Sequence, residues 1–313
     1  MARKRSALRN WLEFLPLRLL FMALRWLPQW ISYPLCAGLG RLFLLFAGKR
    51  RRTALAGIAR AMPDLSERER RRIAFTSAGA FARTLVDVAR MPRVLGRGDA
   101  SDWVDLSQLD QALAEIAERF GPGPIVICTP HLGSWEAAIS AMSFRLNPLH
   151  LIGRRMENPL LDRMLIERRS AAGQKVYAKK GGVRPLARAL QRGESVAFAA
   201  DQNQRRGKSF VRFFGELASC DRGPVRLARQ FGRPILVGAV LRKGGGFCFC
   251  AEAADCFLPG RSGEAEGEFG IDPDLQRLHT AFERLILRFP EQYLWMHDRW
   301  RTRPREETTE ALR

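Results

Sequence analysis

The stretch that decides the reading of this chain is Ile125-Val126-Ile127-Cys128-Thr129-Pro130-His131-Leu132-Gly133-Ser134-Trp135-Glu136. A short β-branched run ends at Pro130, and His131 follows at once. Gly133, a capping Ser134 and Glu136 then open a helix, so the segment reads as strand, turn, helix. A histidine at the mouth of a strand, five residues before a carboxylate in a first helical turn, suits a general base and its orienter. The helix dipole keeps such a carboxylate ionised, and an ionised carboxylate holds the imidazole in one tautomer and stabilises the imidazolium. A loop histidine beside an unrelated capping glutamate fits the same spacing equally well.

Outward from this stretch, strands and helices alternate. Strands are expected at 125–129, 149–153, 195–199, 235–241 and 247–257. Helices are expected at 135–145, 160–171, 183–191, 224–231 and 274–289. Upstream, 53–90 and 110–120 read as helical, with Pro63-Asp64 as a turn and Ser66 with Glu69 as a capping box. Alternation of this kind predicts an α/β fold, a mixed sheet flanked by helices. The acidic, Gly-rich stretch 260–270 reads as a surface loop.

The chain has 313 residues, 46% of them hydrophobic and 27% charged, which excludes a polytopic membrane protein and a disordered chain. Lys and Arg number 52 against 32 Asp and Glu, a formal +20. That balance fits nucleic acid, an anionic membrane or a phosphorylated substrate, and composition does not choose among them. Six cysteines without a CxxC pair are expected as reduced, mostly buried thiols of a protein facing the cytoplasm. The four histidines, His131, His150, His279 and His297, form neither HExxH nor another paired-ligand spacing, so neither a metal nor another cofactor is expected.

Residues 1–48 form an N-terminal helical segment, expected to be membrane-associated. Arg3, Lys4, Arg5 and Arg9 precede an apolar, aromatic run from Trp11 to Gly48, and Lys49-Arg50-Arg51-Arg52 follows it. Its cleanest part, 26–48, approaches the ~20 apolar residues that span a bilayer, but Pro28, Gln29, Pro34 and Arg41 interrupt it. An interfacial or re-entrant anchor, a single span and a buried hairpin are the alternatives; a cleaved signal peptide lacks its small-residue site. Residues 49–304 are expected to form the main domain and 305–313 a flexible tail.

Three further elements stand out. Gly153-Arg154-Arg155-Met156-Glu157-Asn158-Pro159 places two arginines at a strand end, either a phosphate or carboxylate clamp or a solvated loop. Asp201-Gln202 ends another strand, where α/β sheets place their sites, and leads to Phe213-Phe214, which would line an acyl pocket or belong to the core. Residues 291–301 alternate aromatic and basic residues, suited to stacking bases or to a membrane interface.

In order, these elements resemble the bacterial lipid A late acyltransferases (lauroyl and myristoyl transferases), within the wider glycerolipid and lysophospholipid acyltransferase group. The matching residues are Pro130 to Glu136; Arg154 four before Asn158-Pro159, with Asp162; Asp201-Gln202; Phe213-Phe214-Gly215; Ala218; Gly223-Pro224; Leu227-Ala228; and Pro290 to Trp295 running on to Arg299-Trp300. Arg51-Arg52 ahead of Ala61-Met62-Pro63 also fits, so the resemblance covers roughly 10–304. It departs at Gly57-Ile58, at Asp87 where Glu is usual, at Cys220 and at His297-Asp298. The resemblance implies an acyltransferase with His131 as base and Glu136 as its partner. Arg154 would bind the acceptor phosphate or the oxyanion, and Asn158, Asp201, Gln202, Phe213 and Phe214 would shape the substrate site. It implies acyl transfer from acyl carrier protein to a hydroxyl of a lipid A precursor, an anionic glycolipid, at the cytoplasmic face of the inner membrane. The alternatives are another acceptor (a lysophospholipid, ornithine lipid or phosphoinositide glycolipid) and, in a different class, a basic nucleic-acid-binding protein; on the acyltransferase reading no nucleic-acid partner is expected.

Overall fold

The computed structural model describes residues 6–95, 100, 102–153, 155–170, 173–179, 181–205, 209–260 and 270–304, the side chain of residue 169 excepted. Four helices come first: α1 (Ala7–Trp26), α2 (Gln29–Phe46), α3 (Gly48–Ala61) and α4 (Glu67–Leu95). The capping box at α4 is present, Ser66 N–H donating to Glu69 Oε2 at 2.8 Å and Glu69 N–H to Ser66 Oγ at 3.3 Å. The helical stretch expected at 53–90 is therefore two helices, parted by the turn that Pro63-Asp64 signals.

The rest alternates: β1 (Val104–Asp105), α5 (Ser107–Phe120), β2 (Val126–Thr129), α6 (Trp135–Ser143), β3 (His150–Gly153), α7 (Pro159–Ser170), β4 (Lys175–Ala178), α8 (Val183–Gln191) and β5 (Val196–Ala199). After them come the antiparallel pair β6 (Ser209–Phe213) and β7 (Glu216–Cys220), then α9 (Gly223–Phe231), β8 (Ile235–Arg242), β9 (Phe249–Phe257), α10 (Pro273–Arg288) and a 3-10 turn, Pro290–Gln292. Seven strands form one sheet in the order β1-β9-β8-β2-β5-β3-β4. Strands β8, β2, β5, β3 and β4 run parallel, and β9 pairs antiparallel to β8. This is the expected α/β architecture with a mixed sheet. The loop expected at 260–270 and the tail 305–313 lie almost wholly outside the described residues.

The central strands read as continuous apolar runs because both faces are covered. Successive side chains point to opposite faces. Thus Val126 and Cys128 join a core with α8, α9 and α10, whereas Ile127 joins one with α4, α5 and α6.

Helix α2 packs along α4 through small residues. A Cβ at Gly40 would overlap the Ala78 carbonyl oxygen, and one at Gly79 would stand 3.2 Å from the Ala37 carbonyl oxygen. The opposite faces of α1 and α2 expose Trp11, Leu12, Leu19, Trp26, Trp30, Leu39, Leu42, Phe43 and Phe46. Among the described residues no single helix is long and apolar enough to cross a membrane. Only α2 together with α3 passes that test, with a bend of 97° between them. A straight span over 26–48 is not formed, because α1 ends at Trp26 and α2 restarts at Gln29.

The close α2–α4 crossing yields a prediction. Gly40→Ala should destabilise by about 1–3 kcal/mol, the cost of overpacking. Gly38→Ala, with nothing within 4 Å of its Cβ, should be neutral or stabilising through helix propensity. Thermal unfolding of the two variants checks the difference.

Candidate active site

The site forms where two neighbouring parallel strands end. Thr129 of β2 is in register with Ala199 of β5, and Ala200 N–H donates to the Thr129 carbonyl at 3.2 Å. Two residues further on along each strand, His131 and Asp201 therefore meet side by side. Asp201 Oδ1 lies 2.6 Å from His131 Nδ1, and Oδ2 accepts from the His131 backbone N–H at 3.0 Å. A carboxylate only accepts, so Nδ1 carries the proton and Nε2 presents its lone pair. The Gln202 amide nitrogen sits 3.1 Å from Nε2 and donates to it.

The turn that carries His131 is tightly held. Gly133 has φ +66°, and a Cβ there would overlap the Val240 carbonyl oxygen, so only glycine fits. Gly133 N–H donates to the Gln292 carbonyl at 3.0 Å, Ser134 N–H to the Val240 carbonyl at 2.9 Å, and Leu294 N–H to the His131 carbonyl at 3.1 Å. Gln292 also exchanges hydrogen bonds with the Arg242 backbone, at 3.0 and 3.2 Å. Ser134 caps α6 through Ala137 N–H and donates to Asp87 Oδ2 at 2.7 Å. Asp87, fully buried, also accepts from Tyr33 Oη at 2.8 Å and pairs with Arg242. Burial pushes its carboxyl up from the usual range, and Arg242, Ser134 and Tyr33 pull it back.

The electrostatics suit a base. Burial opposes a charged imidazole, but the Asp201 charge and hydrogen bond, with a smaller effect from Glu136, outweigh it and hold His131 above its ordinary value. Asp201 is held well below the usual carboxylate range: burial disfavours its charge, and His131 and Arg299 more than offset that. The side chain of His131 remains 16% exposed, whereas Asp201 is 3% exposed.

The carboxylate hydrogen-bonded to Nδ1 is thus Asp201, where the sequence reading had given that place to Glu136. Glu136 lies in the first turn of α6 and is buried; its charge reaches His131 from there. The expected acyl-pocket residues Phe213 and Phe214 sit in the β6–β7 hairpin. Phe213 is fully buried and packs edge-on against His279 and near Trp300, so it offers no surface to a ligand. Phe214 occupies the turn with φ 50° and lies against Trp295. Phe213 therefore belongs to the core, the alternative its sequence had left open, and Phe214 is half-buried against that core. Asn158 caps α7, accepting from Leu160 N–H at 3.0 Å, and donates to the Asn10 carbonyl at 2.9 Å and to Glu13, tying α1 to α7. Arg154 lies outside the described residues. Among those described, no group of three His, Cys, Asp or Glu is placed to hold a metal.

Sequence reasoning gave the segment 291–301 the wrong setting. Trp295, Arg299 and Trp300 are buried and have no exposed face for stacking bases. Tyr293 pairs with the Leu132 backbone, and burial first, then the nearby Asp201 charge, hold its hydroxyl well above its ordinary value. His297 Nε2 accepts from Asn203 N–H at 3.1 Å.

A sequence profile of bacterial lipid A biosynthesis acyltransferases matches residues 1–302. The chain is 25% identical over 301 residues to a lipid A biosynthesis lauroyltransferase of Escherichia coli (strain K12), covering 95% of this chain and 93% of that protein. It is 26% identical over 304 residues, with the same coverage, to the palmitoleoyltransferase of that organism. A phosphatidylinositol mannoside acyltransferase of Mycolicibacterium smegmatis is 30% identical over 163 residues, 51% of this chain and 52% of that protein.

Two variants separate the carboxylates. Asp201→Asn should lower kcat by about 10³- to 10⁴-fold, the scale for loss of a tautomer-fixing carboxylate, whereas Glu136→Gln should cost less than about tenfold. With His131 as the general base, activity would need its neutral form, so in the wild type it should rise with pH through a value above the ordinary ~6.5 of histidine. The pH dependence of kcat/KM checks this, and its acid limb should move to lower pH in Asp201→Asn.

Proposed function

The chain belongs to the bacterial lipid A biosynthesis acyltransferase family and is an acyltransferase; on that premise we propose that it moves a fatty acyl chain from an acyl carrier protein thioester to a hydroxyl of a lipid A precursor. The observation that carries this reading is the 2.6 Å His131–Asp201 pair with Nε2 turned toward the Gln202 amide.

In this mechanism the acceptor hydroxyl displaces the Gln202 amide and gives its proton to His131 Nε2 as its oxygen attacks the thioester carbonyl. The carbonyl carbon becomes tetrahedral and its oxygen anionic. Asp201 stabilises the imidazolium without taking the proton itself. Gln202, released from Nε2, has two N–H donors for the oxyanion, and Arg154 is a second donor for that charge or for the acceptor. Collapse breaks the C–S bond, and the imidazolium returns the proton to the leaving thiolate. No covalent enzyme intermediate is needed.

The exposed apolar faces of α1 and α2 support seating on the cytoplasmic leaflet of the inner membrane, with Lys49, Arg50, Arg51 and Arg52 toward anionic headgroups. Surplus positive charge favours both an anionic acceptor and an acidic carrier protein. A phosphoinositide glycolipid is the second acceptor considered, prompted by the phosphatidylinositol mannoside relative.

The test is transfer from radiolabelled acyl carrier protein thioester, with a lipid A precursor and a phosphoinositide mannoside offered separately. Label should move to the lipid A precursor and be lost in His131→Ala. Transfer to the other glycolipid alone would keep the chemistry and change the acceptor; no transfer to either would contradict the reading.

A further inference from the structure

A second polar feature lies beside the catalytic turn and plays no part in the proton transfer. A cleft of about 190 Å³ opens between α2, α4 and the end of β8, lined among others by Arg41, Gly79, Arg83, Gly133 and Arg242. The three arginines differ in how their charge is met. Arg242 is committed to Asp87 and lies over the rings of Tyr33 and Phe249, 4.8 Å from each. Arg83 and Arg41 have neither a hydrogen bond nor an ion pair to any described residue, and the Nε of Arg83 is buried without a partner. Burial, then the nearby charges of Arg242 and Arg41, push Arg83 below its ordinary value. The cleft's described lining also includes one carboxylate, Glu291, which stands 3.7 Å from Arg72.

The two guanidinium groups face a common cleft, Arg41 exposed and Arg83 half-buried; water screens their repulsion and Asp87 offsets it in part, and an anion between them would relieve the rest. A buried Nε without a partner is costly, and a phosphate oxygen would satisfy it. Gly79 keeps the approach open: a Cβ there would stand 3.4 Å from Arg41 Nε. The placement also fits a lipid. Arg41 lies on α2 beside exposed Leu39, Leu42, Phe43 and Leu45, while Gly133, two residues from His131, forms the inner wall. A molecule with its chains on the apolar face of α2 would bring an anionic headgroup into this cleft and its hydroxyls toward the base.

We propose that Arg41 and Arg83 form a phosphate subsite for a lipid seated on the outer face of α2, holding the phosphate between their guanidinium groups while Arg242 remains bound to Asp87. The inference deepens the function proposed above and rests on it for the identity of the lipid. Guanidinium forks match phosphate oxygens in geometry as well as charge.

The experiment uses the full chain and the variants Arg41→Gln, Arg83→Gln and Arg83→Lys, with folding checked by circular dichroism. One arm measures kcat and KM in mixed micelles for the phosphorylated lipid A precursor and for the same lipid after phosphatase treatment. The second measures sedimentation with phosphatidylcholine vesicles and with vesicles containing phosphatidylglycerol, without acceptor. The expected result is a KM for the phosphorylated acceptor raised roughly 10- to 100-fold in both Gln variants, the scale of a lost charge-assisted pair. Arg83→Lys should recover part of it, and all forms should converge on the dephosphorylated acceptor. An unchanged KM with loss of the preference for phosphatidylglycerol would uphold the phosphate subsite and assign it to the bilayer headgroup. If neither arm changes, or if kcat falls equally on both acceptors, the subsite is overturned. If the wild type turns over neither acceptor, the proposed function fails, and the vesicle arm alone decides the subsite.

Discussion

The structure depends on one buried charge, Asp87. It stands in the C-terminal half of α4 and receives Tyr33 from α2, Ser134 from the cap of α6 and Arg242 from the end of β8. These donors come from the apolar N-terminal helices, the turn that carries His131 and the central sheet. Removing one partner of a buried ion pair costs about 3–5 kcal/mol, because the other charge is left uncompensated. Asp87 therefore joins three layers that apolar packing alone would leave free to slide.

The His131–Asp201 pair inherits its geometry from that fastening. Ser134 fixes where α6 begins, and Gly133, pressed against Val240, fixes the turn before it. Gln292 locks that turn to the last residue of β8. His131 is thus held from both sides, and Asp201 arrives from β5 at matching height because β2 and β5 are in register. Behind Asp201, Arg299 supplies a positive charge. Arg299 is itself almost fully buried and bonded to the Ser219 carbonyl. A base so supported keeps one tautomer and a fixed ring position, so that only the Gln202 amide has to move off Nε2 before it takes a proton.

Much of this was legible in the sequence. The apolar runs of β2, β5 and β8 and their intervening amphipathic helices announced the α/β sheet, and Ser66 with Glu69 announced the start of α4. His131 and Asp201 were both singled out. Their partnership was not, because it depends on β5 lying beside β2, and strand order is not written in local pattern. Proximity in sequence favoured Glu136 instead. Strand β4 was missed because an edge strand is short and half-polar. The β6–β7 hairpin was missed because its turn uses Phe214 at positive φ rather than Asn or Asp. Residues 291–301 were read by composition as an exposed aromatic and basic surface, whereas their aromatic rings close the core behind Asp201.

The central claim is that Asp201, not Glu136, holds the base. Proton and nitrogen NMR of the enzyme labelled with ¹⁵N-histidine tests it most directly. The account predicts a strongly downfield Nδ1 proton on His131 that persists in Glu136→Gln and disappears in Asp201→Asn. Loss of that resonance in Glu136→Gln with retention in Asp201→Asn would contradict it.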